Sequence, residues 1–80
     1  MSIAPQANES DRLALTSAEL ARQLGISQRH LHTLTKEGKV PAPLRLGRSL
    51  RWSRTEIERW LLAGAPPLQQ WEAMKMQLPA

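Results

Sequence analysis

The chain has 80 residues, a formal net charge of +4 and no cysteine. A chain this short forms one thin domain, because it buries only a modest fraction of its surface. The lack of cysteine excludes disulfides, thiolate zinc sites and a cysteine nucleophile. No apolar run is long enough to cross a bilayer, and the start MSIAPQANESD lacks the basic and apolar stretches of a secretion signal, so a cytoplasmic protein is expected.

Residues 1–11 mix Ser, Asn, Gln, Pro and Ala without periodicity and read as a disordered arm. Three helix starts then share one grammar. Thr16 is an N-cap whose capping box is completed by Glu19, with Leu15 and Leu20 as a hydrophobic staple. Ser27 caps the second helix with Ile26 and Leu31 as its staple, but His30 stands where a box needs Glu or Gln. Ser53 caps the third, with Glu56 completing a box and Trp52 stapled to Ile57. Gly25, Gly38 and Gly64 follow as helix stops, so helices are predicted over 17–24, 28–37 and 54–63.

Helical spacing assigns Leu20, Ala21 and Leu24, then Leu31 and Leu34, then Ile57, Trp60 and Leu61 to the core. Trp52, Trp60 and Trp71 are its expected anchors. The short turn Gly25-Ile26-Ser27 forces the first two helices into a sharp angle. The second helix is left mostly exposed, with a surface of Gln, Arg, His, Thr and Lys.

Pro41 and Pro43 favour extended chain. The alternation of Leu44-Arg45-Leu46 and Leu50-Arg51-Trp52 around Gly47-Arg48-Ser49 predicts two strands, with Leu44, Leu46, Leu50 and Trp52 inward and Arg45 and Arg51 outward. A three-residue loop sets Arg45 opposite Arg51. Like charges in that register repel, so the pair reads as a clamp for an anion; a one-residue slip would separate it. Beyond Gly64, Leu68, Trp71, Met74, Lys75 and Leu78 recur at roughly helical spacing. They predict a short fourth helix on the core, with a dimer contact as the alternative. The chain thus divides into an arm (1–11), a domain (12–64) and a C-terminal extension (65–80). The fold class is mainly α with a small β-hairpin: helix, turn, helix, two-stranded wing, third helix, which is a winged helix-turn-helix.

Charge gives the fold a partner. Between Ile26 and Arg54, seven basic residues (Arg29, Lys36, Lys39, Arg45, Arg48, Arg51, Arg54) face only Glu37, a local +6 that exceeds the charge of the whole chain. Such a cluster suits a polyanion. In a helix-turn-helix the second helix enters the major groove of double-stranded DNA. Gln28, Arg29, His32 and Thr33 are the candidate base readers, with arginine suited to guanine and glutamine to adenine. Ser27 at the helix start, Lys36 and Lys39 suit phosphates. Arg48 at the wing tip suits the minor groove, and Arg45 and Arg51 suit the flanking backbone. Arg54 and Arg59 are expected to pair with Glu56 or Glu58.

Other chemistries find little support. His30 and His32 lie two apart, on different faces of a helix and with no third ligand near, which argues against a metal site. No phosphate-cradling glycine loop and no Ser/His/Asp set with evident spacing is present, so no enzyme, cofactor or small-molecule ligand is expected. The competing class is a protein-interaction module, in which Trp71 rather than Arg29 would be the sensitive residue.

The stretch LTSAELARQLGISQRHLHTLTKEGKVPAPLRLGRSLRWSRTEIERWL, from Leu15 to Leu61, carries a family likeness. Its pieces are LGIS at the turn, KEGKVPAP leaving the second helix, LGRSLRW in the wing and EIERWL in the third helix. In order and spacing they resemble the AlpA-like and excisionase-like branch of the MerR-type winged-helix superfamily. The resemblance implies a small DNA binder linked to phage or mobile elements. Such proteins act as transcription regulators, or as excisionase-type directionality factors that bend DNA for an integrase. It places Gln28, Arg29, His32 and Thr33 on the recognition helix and Arg45, Arg48 and Arg51 on the wing, and it implies a nucleoid-associated location. A homodimer or a cooperative array on DNA is open. Larger MerR proteins add a coiled coil and an effector domain; this chain ends before either, so ligand sensing is not expected.

Overall fold

The structure, a computed structural model, describes residues 12–76. The predicted N-terminal arm and Leu78 lie outside the described residues. In chain order the elements are β1 (Ala14–Leu15), α1 (Ser17–Leu24), α2 (Gln28–Lys36), β2 (Leu44–Leu46), β3 (Ser49–Ser53), α3 (Arg54–Leu62) and α4 (Leu68–Lys75). The described residues form four helices and a small antiparallel sheet of order β1-β3-β2. This is the expected winged helix-turn-helix with one addition, the two-residue strand β1.

The cap signals build these helices as the sequence indicates, with one exception. At α1 the box is complete: the Glu19 amide donates to Thr16 Oγ1 (3.1 Å) and the Thr16 amide to Glu19 Oε1 (2.9 Å). Ser27 accepts from the His30 amide (3.0 Å). Ser53 accepts from the Glu56 amide (3.1 Å), but Glu56 does not return the bond. Its carboxylate accepts instead from the Trp71 indole (2.9 Å) and from Lys75 (2.7 Å). A buried indole N–H with no acceptor is costly, and Glu56 is the group placed to supply one. It therefore ties α3 to α4, and it is Lys75, not Arg54 or Arg59, that neutralises it.

At the end of α1, Gly25 takes a left-handed φ of 76°, which lets the Ile26 amide reach back to the Ala21 carbonyl (2.9 Å). The same reach closes α2 and α3, where Lys39 donates to Leu34 and Ala65 to Trp60, each at 2.9 Å.

The core joins Leu15, Leu20, Ala21, Leu31, Val40, Trp52, Ile57, Trp60 and Trp71, with Leu24, Ile26, Leu34 and Met74 packed against it. Each indole N–H finds an oxygen: Trp52 donates to the Pro41 carbonyl (2.9 Å), Trp60 to the Pro66 carbonyl (2.8 Å) and Trp71 to Glu56. Trp71 is 1 % exposed, so α4 packs on the core. That indole is spent on the core rather than presented on the surface. Leu61 departs from its predicted core position and is half exposed.

Candidate nucleic-acid interface

Helix α2 buries one stripe and leaves the rest open. Leu31 is buried, with Leu34 and Thr35 half-buried beside it. Thr35 turns its hydroxyl back onto the Leu31 carbonyl (2.8 Å) and so spends its polarity inside the helix. Two exposed stripes remain at i, i+4, i+7 spacing, where helical neighbours share a face. One carries Arg29, Thr33 and Lys36. The other carries Gln28 and His32 and stops short of the half-buried Thr35. All four candidate base readers are exposed, as are Ser27, Lys36 and Lys39. Lys39 is paired with Glu37 (3.3 Å), so its charge is in part answered within the protein.

The wing differs from its prediction in register. The pairs are Leu44 with Arg51, Arg45 with Leu50 and Leu46 with Ser49, which leaves a loop of two residues, Gly47 and Arg48. Gly47 has φ 63°, and a left-handed first residue suits the two-residue turns that follow strand twist. This slip by one residue dissolves the Arg45–Arg51 clamp. Residues directly opposite each other share a face of the sheet. Arg45 therefore rises beside Leu50 on the face that also carries Trp52, and Arg51 leaves from the other face with Leu44. The slip also spares the hairpin the repulsion of two opposed arginines. Arg51 turns one guanidinium nitrogen onto the Leu50 carbonyl (2.8 Å).

The same register corrects the apolar assignment. Only Trp52 is buried; Leu44, Leu46 and Leu50 are 48 %, 54 % and 45 % exposed. The core ends at Trp52, and the wing projects past it into solvent.

Between α2 and the wing lies an open cleft of about 570 Å³. Gln28, Arg29 and His32 line it from the helix, and Pro43, Leu50 and Trp52 from the wing side. Ser17, in the first turn of α1, also lines it and donates to Gln28 Oε1 over a long 3.4 Å. Sequence reading missed Ser17, Pro43 and Leu50 as site residues. A Gly-led two-residue turn, taken in preference to the leucine alternation, would have given the register that brings Arg45 onto the face of Leu50 and Trp52. Among the described residues no group of three His, Cys, Asp or Glu could hold a metal ion, and no helix is long and apolar enough to cross a membrane.

Comparison with known proteins adds one finding to this geometry. The family model of the helix-turn-helix domain matches residues 14–65, from β1 to just past α3. No curated protein and no solved structure matches the chain.

Proposed function

The chain belongs to the helix-turn-helix domain family, a DNA-binding class, and on that premise we propose that it is a small transcription regulator that reads a specific duplex sequence. One observation carries the proposal: the exposed face of α2 and the wing meet across a cleft whose lining contains Arg29 and no acidic side chain. A polyanion fits such a surface.

In this reading α2 lies in the major groove. Gln28, Arg29, His32 and Thr33 face base edges, and Ser27, Lys36 and Lys39 face phosphates. Arg45 meets the backbone from the cleft side of the wing and Arg51 from the far side, while Arg48 at the tip enters the minor groove. The likeness to AlpA-like and excisionase-like proteins of the MerR type is part of the same proposal, as are a link to mobile elements and a nucleoid-associated location.

Footprinting on fragments selected from genomic DNA, with a bending assay and a salt titration, tests it. A regulator protects one operator, and with about five cations on phosphates the slope of log K against log salt is about −4 to −5. Contiguous protection with a strong bend would instead assign the chain to the excisionase-type factors. A slope near zero would refute DNA binding altogether.

A further inference from the structure

Leu50 stands out on this surface. It is large, apolar and 45 % exposed, and it lines the cleft directly across the hairpin from Arg45. A wing that only delivered arginines to phosphates would need no leucine there. Behind Leu50 the cleft deepens onto Trp52 and Leu31, both buried, with Pro43 beside them. Arg29 lines the helix side of this apolar interior, and Arg45 stands on the same face of the wing as Leu50.

A DNA strand has the matching pattern. Its backbone alternates anionic phosphates with deoxyribose rings, whose carbon-bound hydrogens form an apolar face, and proteins contact both parts. Building on the proposed DNA-binding function, we infer that the cleft holds one strand of the duplex by its backbone, with Leu50 packed on a deoxyribose and Arg45 on the adjoining phosphate, while Arg29 reaches past the strand to the bases. Charge selects this occupant over others: the cleft lining holds Arg29 and no acidic side chain, and Arg45 shares the wing face with Leu50, which suits an anionic chain and offers nothing to a basic peptide. The contact is independent of base sequence. It fixes how far the strand sinks toward Trp52, and so the depth at which α2 meets the base edges. Leu50 is in this sense a positioning residue.

Leu46 provides an internal control. It is exposed to a similar degree, at 54 %, but lies opposite Ser49 on the far face of the wing, away from the cleft. The test is binding of a mixed-sequence DNA duplex by fluorescence anisotropy across a salt series, with wild type, Leu50→Ala, Leu46→Ala and Arg45→Ala. Leu50→Ala should weaken binding about five-fold, the equivalent of burying the exposed half of one leucine. The salt slope should not change, because no counterion is involved. Arg45→Ala should make the slope shallower by about one unit, and Leu46→Ala should leave both affinity and slope at the wild-type values.

Wild-type affinity in Leu50→Ala would overturn the inference. So would equal losses in Leu50→Ala and Leu46→Ala, or a shallower slope in Leu50→Ala, since either result means that the leucine merely stiffens the wing. Absence of salt-dependent binding by the wild-type protein would overturn the DNA-binding function itself and this inference with it.

Discussion

Among single residues, Arg29 lines the cleft and Arg45 stands opposite Leu50 on the wing, and the two are expected to do different work. Arg29 sits in the first turn of α2, where a side chain can reach base edges; Arg45 sits on a strand whose backbone stays outside the groove. Arg29→Ala should cost about 1–3 kcal/mol and relax preference at one base position, whereas Arg45→Ala should weaken all sequences alike. Binding to a panel of single-base operator variants distinguishes them, and equal loss of discrimination in both would show that α2 is not the reader. The exposed face of α2 that carries the candidate readers was legible in the sequence because it needs only the helical repeat and one short turn. The partner of Arg45 was not. It depends on whether the wing loop holds two residues or three, and the regular leucine alternation favoured the longer loop.

At the level of elements, the helices were readable and the joints between them were not. A cap, a staple and a stop each involve residues within about one or two turns, so Thr16, Ser27 and Ser53 announce their helices locally. Strand β1 is two residues long and pairs Leu15 with Trp52, a contact that no short-range pattern encodes. The diversion of Glu56 is of the same kind, because its partner Trp71 lies 15 positions away. Glu56→Ala removes the acceptor of a buried indole and the partner of Lys75, and should destabilise the fold by about 1–3 kcal/mol. Glu72→Ala removes only the half-exposed arm of the same lysine (3.2 Å) and should cost about 0–1 kcal/mol. Urea unfolding of the two variants checks this; similar losses in both would mean that α3 and α4 are not joined through Glu56.

For the molecule as a whole, two ionisable groups shape the response to pH. The hydrogen bond from the Thr16 amide lowers the pKa of Glu19, burial opposes it, and Arg12, 3.1 Å away, adds to the lowering. A lowered carboxylate stabilises the fold above its ordinary pKa, and that contribution disappears as pH falls through the lowered value. Burial disfavours the charged form of Lys75, but its bonds to Glu56 and Glu72 prevail and raise its pKa above 10.5. That contribution is complete below 10.5 and disappears as pH rises through the raised value. Thermal melts should therefore fall off at both ends of the pH range, with Glu19→Gln flattening the acid limb and Lys75→Met the alkaline one. An acid limb unchanged in Glu19→Gln would exclude this role for Glu19. The bond from the Leu68 amide to the Gly38 carbonyl (2.9 Å) matters on the same scale. It fastens the start of α4 to the glycine that follows α2, and within the loop so formed the Trp60 indole is held by Pro66. The family match stops at residue 65, but a head cut there would lose the neck of that loop and leave the Gly38 carbonyl without this donor. Transplanting the helix-turn-helix head onto another protein, or recombining it with a different tail, therefore means carrying the chain through Lys75. The portable module is longer than its family signature.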